Sequence, residues 1–356
     1  MVITQSLSGK LVDIMARISL SQFSDLLTRS FKNWAYLKDD NASWQQVITH
    51  NPLANSEYLI NTVEYHLAYL VNAENCAVVI YDQQQPIAIW PLTLNNNGEK
   101  QILQSNCKSI MPPLFHASAT KKQIKKVYQQ CLALLKTYFQ LTAIQPLVCY
   151  TPASHVLWQR TLTPHICDVS YIQYLLTDLS KSINDIKSDF RKSYRSLINK
   201  GMQLWQCDIH QTMSDQTIEE FRQFHIQTAG KETRSLATWQ RQQQMVNSGE
   251  AFYITLRDSQ QILVGAALFN LSPQQASYSI GVYERSLFDQ PIGHVAQWRA
   301  IEHMKSIGIT QYFLGNRHHP FESSKPSEKE SAIGFFKEGF SNQVSVETQA
   351  LLFFKE

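Results

Sequence analysis

Cys76-Ala77-Val78-Val79-Ile80-Tyr81-Asp82-Gln83-Gln84-Gln85-Pro86-Ile87-Ala88-Ile89-Trp90 is an apolar run, an acidic and glutamine-rich turn, and a second apolar run. The pattern returns 176 positions later in Phe252-Tyr253-Ile254-Thr255-Leu256-Arg257-Asp258-Ser259-Gln260-Gln261-Ile262-Leu263-Val264-Gly265-Ala266, with Asp82 and Asp258 marking the two turns. β-Branched and aromatic residues around a polar turn predict a β-hairpin at each place. A repeat at half the chain length predicts two copies of one domain and not a short-period solenoid.

Outward from the first hairpin, helical patterns fall near 20–34 and 56–72, and a further strand fits Gln101–Ser105. Ile124, Val127, Cys131, Leu134, Leu135 and Tyr138 recur at helical spacing and predict a helix over 121–139. A strand at 146–150, a short helix near 154–162 and a strand at 169–177 complete this half. The second half starts with a basic helix, 183–200, with Gly201 as its C-terminal cap. A strand at 202–207, helices at 215–228 and 238–246, the hairpin and a third strand at 275–282 follow. A helix from Pro291 to 307, a strand at 310–314, a polar loop, a helix at 331–338 and a strand at 343–354 end the chain. Meandering strands followed by strand–helix alternation imply an α/β (α+β) architecture, each half a mixed sheet flanked by helices. The expected domains are 1–178 and 179–356, with no linker between them and a cleft where they meet.

The 356 residues suit two domains, and 44% hydrophobic content suffices for substantial cores. A net charge of +3 is too small to argue for nucleic acid or a membrane surface. The six cysteines are scattered, without Cys-x-x-Cys or zinc spacing, and read as reduced thiols in a cytoplasmic protein. Lys10, Asp13 and Arg17 break the N-terminal apolar stretch, so no signal peptide is expected there. Residues 8–29 predict an amphipathic helix docked on the body of the protein. No run approaches a membrane span.

The second-half element order resembles the GNAT acyltransferase fold. Doubled, it is similar to the Fem-type aminoacyl and peptidyl transferases. Three segments carry the resemblance: Phe190-Arg191-Lys192-Ser193-Tyr194-Arg195-Ser196-Leu197-Ile198-Asn199-Lys200-Gly201, the hairpin and helix of 251–307, and the closing Ile333-Gly334-Phe335-Phe336-Lys337-Glu338-Gly339-Phe340. It covers roughly 180–356, and the first half only through its hairpin. The chain lacks room for the helical-hairpin insertion of the cell-wall bridge enzymes. Its loop Gly315-Asn316-Arg317-His318-His319-Pro320 also differs from theirs, so a muropeptide acceptor does not carry over.

The resemblance implies a donor site at Gln290-Pro291-Ile292-Gly293-His294-Val295-Ala296. The acyl-CoA enzymes have a Gln/Arg-x-x-Gly-x-Gly/Ala turn there, matched here at Gln290 and Gly293 but not at Val295. A helix start offers unpaired N–H groups to a pyrophosphate; the bland reading is an ordinary helix start with Pro near its first position. Lys187, Arg191 and Arg195, at i, i+4 and i+8, are expected on one helix face, either to hold donor phosphates or as a solvated stripe. The loop 315–330 holds Arg317, His318, His319, Lys325 and Lys329 just after a strand, the usual ligand crevice of an α/β sheet. His318 or His319 is the expected proton acceptor, with Glu284 as another. Tyr283, Arg317, Lys325 and Lys329 are expected to bind substrate. Adjacent loop histidines point apart and no partner is fixed by spacing, so no metal site is expected. No Gly-x-Ser-x-Gly elbow or P-loop occurs, and in the GNAT mode an amine attacks the acyl carbonyl directly.

The sequence therefore predicts an N-acyltransferase moving a group from acyl-CoA such as acetyl-CoA, or alternatively from aminoacyl-tRNA, to an amine. The acceptor class is an amino sugar or a peptide of a cell-envelope or surface glycoconjugate. The rival is a non-catalytic GNAT pair that binds a glycan or a protein.

Overall fold

The structure is a computed structural model that describes residues 17–49, 51–98, 100–142, 147–318 and 325–354. Each half opens with the same antiparallel meander. In the first half Trp34–Tyr36, Val78–Asp82 and Gln85–Trp90 lie side by side, with Trp34 opposite Ile80 and Val78 opposite Trp90. In the second, Gln206–His210, Ala251–Arg257 and Leu263–Leu271 repeat it, with Cys207 opposite Leu256 and Ile254 opposite Ala267. The matched hairpins thus occupy equivalent places. Their turns differ: Gln83 and Gln84 alone connect the first pair, whereas 258–262 connect the second, its Asp258 carboxylate accepting from the amides of Gln260 and Ile262.

The third strand of the second half is Gln275–Tyr283, antiparallel to Leu263–Leu271. In the first half that place belongs to Leu114–Phe115, with Leu114 opposite Ile89. The strand expected at 101–105 is present as Lys100–Gln104 and forms a separate three-stranded sheet with Thr93–Asn97 and Ala73–Asn75. Next comes a parallel neighbour in both halves. Gln275–Tyr283 runs beside Gln311–Arg317, and Ile110 bridges in parallel to Cys149 of Leu147–Thr151.

The last strands are exchanged. Ile166–Asp178 pairs with Gln311–Arg317 of the second half, and Gln343–Leu352 pairs with Leu147–Thr151 of the first. The two also pair with each other along their length, from Gln343 opposite Leu176 to Leu352 opposite Ile166. The strand before the expected 178/179 boundary therefore completes the sheet of the other half, making one sheet of eight strands. The cores follow the exchange: Leu352 and Phe354 are buried with Trp90, Tyr138 and Trp158 of the first half, and Leu175 with Phe252 and Ile301 of the second. Fully burying one such side chain contributes about 1.5–3 kcal/mol, which fixes both strands in the foreign half.

Helix Lys121–Thr142 buries Val127, Cys131, Leu134, Leu135 and Tyr138, as their spacing requires. Helix Leu20–Ser30, opened by a capping box of Ser19 and Gln22, packs Phe23, Leu26 and Leu27 into the first core. The earlier part of the expected 8–29 helix lies outside the described residues. The basic helix expected at 183–200 is two helices, Ile183–Asp189 and Lys192–Leu204. Phe190 between them is extended and packs its ring on Trp298 and Phe340, and the Arg191 amide donates to Gly339 O; these tertiary contacts outweigh helical continuity. Gly201 is not a cap but lies inside the second helix, where an added Cβ would collide with Val295; its bareness lets this helix cross Ile292–Ser306 closely. No helix of the described residues is long and apolar enough to cross a membrane.

Candidate functional site

The parallel strands Gln275–Tyr283 and Gln311–Arg317 pair only from Gln275 with Gln311 to Ser277 with Phe313. Beyond this they splay. The second strand stays paired with Ile166–Asp178 throughout, from Gln311 opposite Asp178 to Arg317 opposite Gln173, and shifts register on that side between Phe313 and Gly315, with Gly315 opposite Leu175. Gly315 has φ +120, a conformation that side chains resist. A Cβ there would lie 2.6 Å from Lys337 Nζ, so the bare backbone makes room for this ammonium group at the splay. Lys337 arrives on helix Glu328–Glu338, which starts on a capping box of Ser327 and Glu330. Its Nζ is 5.4 Å from the Tyr278 ring centroid and has no carboxylate partner among the described residues. Burial pushes its pKa down. The Tyr278 hydroxyl lies 3.1 Å from that of Tyr283, its ring against Gly281, and Tyr312 donates to Gln297 Oε1 at 2.5 Å. Burial raises all three phenols and keeps them neutral. The splay therefore holds one half-buried cation over a neutral, hydrogen-bonded floor.

A cavity of about 930 Å³ opens from this point and is lined by both halves. Tyr278, Ser279, Phe313 and Asn316 mark its end at the splay; Gln275, Gln311, Tyr174, Ser345, Glu347 and Gln349 make a polar floor on the central strands. At the far end stand Glu57, His66, Cys107 and Lys108. Asn55 Oδ1 caps the turn Ser56–Tyr58 by accepting from the Glu57 amide, while the Tyr58 hydroxyl donates to Pro112 O and anchors it. Glu57 Oε1 then meets Lys108 Nζ at 2.6 Å and its Oε2 accepts from Asn106 Nδ2 at 3.0 Å. His66 of helix Ile60–Tyr69 lies between, Nε2 at 3.6 Å from Glu57 Oε2 and Nδ1 at 3.1 Å from Cys107 Sγ. Burial alone would raise the Glu57 carboxyl, but the Lys108 charge and His66 outweigh it and hold it well below the usual range. Burial would lower His66; hydrogen bonds to Cys107 and Glu57 outweigh it and raise the imidazole to about 9. Sequence reading missed this group because its members come from three separate elements. Lys337 lies within the closing segment, where no spacing singles it out.

The donor residues expected at the second-half helix start lie together, but the turn is closed. The Ile292 amide donates to Gln290 O, and the His294 and Val295 amides to Pro291 O. The Phe336 ring covers Gly293, with Cζ 3.1 Å from where a Cβ would sit. His294 packs on Tyr194 and Phe336; neither ring nitrogen has a hydrogen-bond partner among the described residues, and burial, then Arg191, pushes its pKa down to about 4. The Gln290 side chain donates to Asp289. Lys187, Arg191 and Arg195 do not share one helix face, because the helix breaks at Phe190. Lys187 lies 4.7 Å over Trp298, Arg191 lies 3.7 Å over Phe335 and donates to Phe335 O and the Tyr194 hydroxyl, and Arg195 is exposed.

Tyr283 packs its ring on Gly265 and meets Tyr278 through its hydroxyl, and it does not line the cavity. Glu284 accepts from the amide and hydroxyl of Ser286, which lowers its pKa and makes it a weaker base. Arg317 is paired with Glu338 at 2.9 Å and reaches Gln173 at 3.3 Å. His318 follows it at the strand end, against Gly334. Lys325 and Lys329 are exposed, and none of these last four residues lines the cavity. His319 lies outside the described residues. Among the described residues no three His, Cys, Asp or Glu side chains converge on a metal-binding point.

No protein-family model matches the chain, and no curated protein matches it by sequence. By structure it is similar to FemX, with a TM-score of 0.59 at 10% identity over 90% of this chain and 97% of that one. It is similar to L-PGS from Bacillus licheniformis, with a TM-score of 0.56 at 12% identity over 94% and 92% of the two chains. A C-terminal domain named as a lysylphosphatidylglycerol synthetase in Agrobacterium fabrum gives 0.59 at 10% identity over 88% and 91%. The fold is a Fem-like tandem GNAT fold.

Proposed function

We propose that the protein is an N-acyltransferase that moves an acyl or aminoacyl group from an activated donor to an amine. The observation that carries this reading is the splay between Gln275–Tyr283 and Gln311–Arg317, where Lys337 lies beside Gly315 and the Tyr278 ring, and where Tyr278, Ser279, Phe313 and Asn316, though not Lys337, border a polar cavity shared by the halves. Beyond Ser277 and Phe313 the facing backbone groups of the strands no longer pair, so N–H groups there are available to a carbonyl oxygen. A donor acyl group lodged in the splay presents its carbonyl beside Lys337, whose charge stabilises the developing oxyanion. The acceptor amine approaches from the cavity, whose amides and hydroxyls suit an amino sugar or a peptide. Proton removal falls to a group near the splay, with His318 at the end of Gln311–Arg317 as the candidate among the described residues. The closed turn at Gln290–Ala296 leaves little for a pyrophosphate and favours an aminoacyl ester, as on charged tRNA, over acyl-CoA. The neighbour named as a lysylphosphatidylglycerol synthetase supports an aminoacyl donor. Either donor is made in the cytoplasm, where this reading puts the reaction.

The test is incubation of the protein with acetyl-CoA or charged tRNA and candidate amines, read by mass spectrometry. An amide product from one donor supports the reading. The closed turn also favours the rival of a non-catalytic glycan- or protein-binding pair. Thermal stabilisation by a glycan or peptide, about 2.7 kcal/mol at 100 times its dissociation constant, without product from either donor, would select that rival.

A further inference from the structure

At the cavity end remote from the splay, His66 turns one ring nitrogen to a thiol and the other to a carboxylate: Nδ1 is 3.1 Å from Cys107 Sγ and Nε2 is 3.6 Å from Glu57 Oε2. We propose that Cys107, His66 and Glu57 form a nucleophilic centre that takes an acyl group onto the Cys107 sulfur from an ester or thioester and hands it to an amine.

A nucleophile, a base within hydrogen-bond reach and a third group orienting that base are the parts activated-thiol chemistry needs. A purely structural Glu57–Lys108 ion pair would not require the imidazole to bridge onward to sulfur. The position of the sulfur is also built. Cys107 lies in a turn closed by reciprocal backbone bonds between Ser105 and Lys108, and Asn106 before it holds φ +56, the left-handed turn conformation that asparagine adopts readily. Independently, Thr62 lines the same cavity at 2% exposure, and its Oγ1 has no hydrogen-bond partner among the described residues. A buried, unpaired hydroxyl carries a cost unless a ligand uses it. Here it offers a donor to an acyl oxygen. The raised pKa of His66 agrees with an imidazolium at neutral pH, held by the Glu57 carboxylate and able to stabilise a thiolate.

The chemistry balances without an oxidant or reductant. The Cys107 thiolate attacks the donor carbonyl, an S–C bond forms, and the donor's C–O or C–S bond breaks. The Nδ1 proton of His66 goes to the departing alkoxide or thiolate. An amine then attacks the thioester, an N–C bond forms and the S–C bond breaks. The amine proton passes to His66, whose Nδ1 again faces the freed Cys107 sulfur.

The inference rests on the cavity being an acyl-transfer site, as proposed above, yet its test is separable. The 356-residue chain is incubated with p-nitrophenyl acetate, and separately with acetyl-CoA, without an amine. Intact mass and peptide mapping then locate any acetyl group. Cys167 is exposed, its Sγ 3.4 Å from Leu351 O, and serves as internal control. Acetylation from p-nitrophenyl acetate is expected at Cys107 ahead of Cys167, and about 10²-fold slower at Cys107 in His66→Gln; melting curves verify that this variant is folded. Equal rates at the two thiols, or no slowing in folded His66→Gln, would overturn the inference. Amide formation at the wild-type rate in Cys107→Ala would overturn it while leaving the transferase reading in place. Selective, His66-dependent acetylation of Cys107 with no amide from any donor and acceptor would keep Cys107 as a nucleophile but overturn both the hand-over to an amine and the transferase reading.

Discussion

Tyr171 pairs with Thr348 and Ile172 pairs with Glu347, and a shift of 176 positions converts each pair into the other. The same interval separates Asp82 from Asp258. The two exchanged strands thus meet about a pseudo-twofold axis, and each half closes its sheet with the other's last strand.

This exchange predicts a single folding unit. The expected calorimetric trace is one transition, with Leu352→Ala costing about 2–5 kcal/mol although Leu352 is the second half's strand in the first half's core. Hydrogen exchange should quicken in that variant over Ala251–Arg257 as well as over Val78–Asp82. Two resolved transitions, or an effect confined to one half, would contradict strand exchange.

Lys337 and Gly315 give the second prediction. Lys337→Met keeps the stem and removes the charge, and loss of one oxyanion stabiliser costs about 10²–10³ in turnover. Donor affinity and melting temperature should change little. Gly315→Ala should reproduce much of the loss, because its methyl group falls 2.6 Å from Lys337 Nζ at a φ of +120. Turnover within a factor of two of wild type in Lys337→Met would remove this lysine from the chemistry.

The hairpins and the helix Lys121–Thr142 were legible because their signals are local, a period of two about a polar turn and an apolar face at helical spacing. The exchange of Ile166–Asp178 and Gln343–Leu352 has no local signature: either strand reads equally well as the edge of its own half. The break at Phe190 was hidden because Trp298 and Phe340, more than a hundred positions away, extract that ring from a helical pattern. The third strand of the first half, Leu114–Phe115, was not legible because two residues are too short to show a period. At the site, the polar loop after the 310–314 strand drew attention by density of charge. The cavity instead gathers neutral amides and hydroxyls with Glu57, His66 and Cys107, which no spacing rule brings together.

Arg191 and Arg195 separate structure from binding. Arg191 spans to Phe335 and Tyr194, tying the helix Lys192–Leu204 to Glu328–Glu338. Arg191→Ala should cost about 1.5–3 kcal/mol, the range for hydrogen bonds from a charged group. Arg195 is exposed, so Arg195→Ala should leave the melting temperature unchanged. Weaker binding of charged tRNA in Arg195→Ala, steepest at low salt, would give it a phosphate contact; unchanged binding makes it a solvated residue. Equal melting temperatures in Arg191→Ala and wild type would contradict the tie.

His66 makes stability depend on pH in a defined window. The groups facing it are Glu57 and Cys107, with Lys108 across Glu57 and the Tyr65 ring beside it at 5.1 Å. Its pKa rises from 6.5 to about 9 on folding. The folded state therefore holds a proton that the unfolded chain has released over that interval. The resulting stabilisation is fully present below pH 6.5 and is lost as pH rises through 9, with a span of about 3 kcal/mol. Glu57 acts at the other end: its depressed carboxyl contributes above its ordinary value of 4.5, and that contribution is lost as pH falls through the lowered one. Melting temperatures of the wild type and of His66→Gln, measured from pH 6 to 9.5, test the alkaline limb. Groups away from His66 titrate alike in both proteins, so the difference between the curves reports the imidazole together with its contacts to Cys107 and Glu57. The wild-type advantage should shrink as pH rises from 6.5 to 9. A difference that stays constant across that range would mean that His66 is neutral in the folded protein, and the imidazolium beside Cys107 would have to be abandoned.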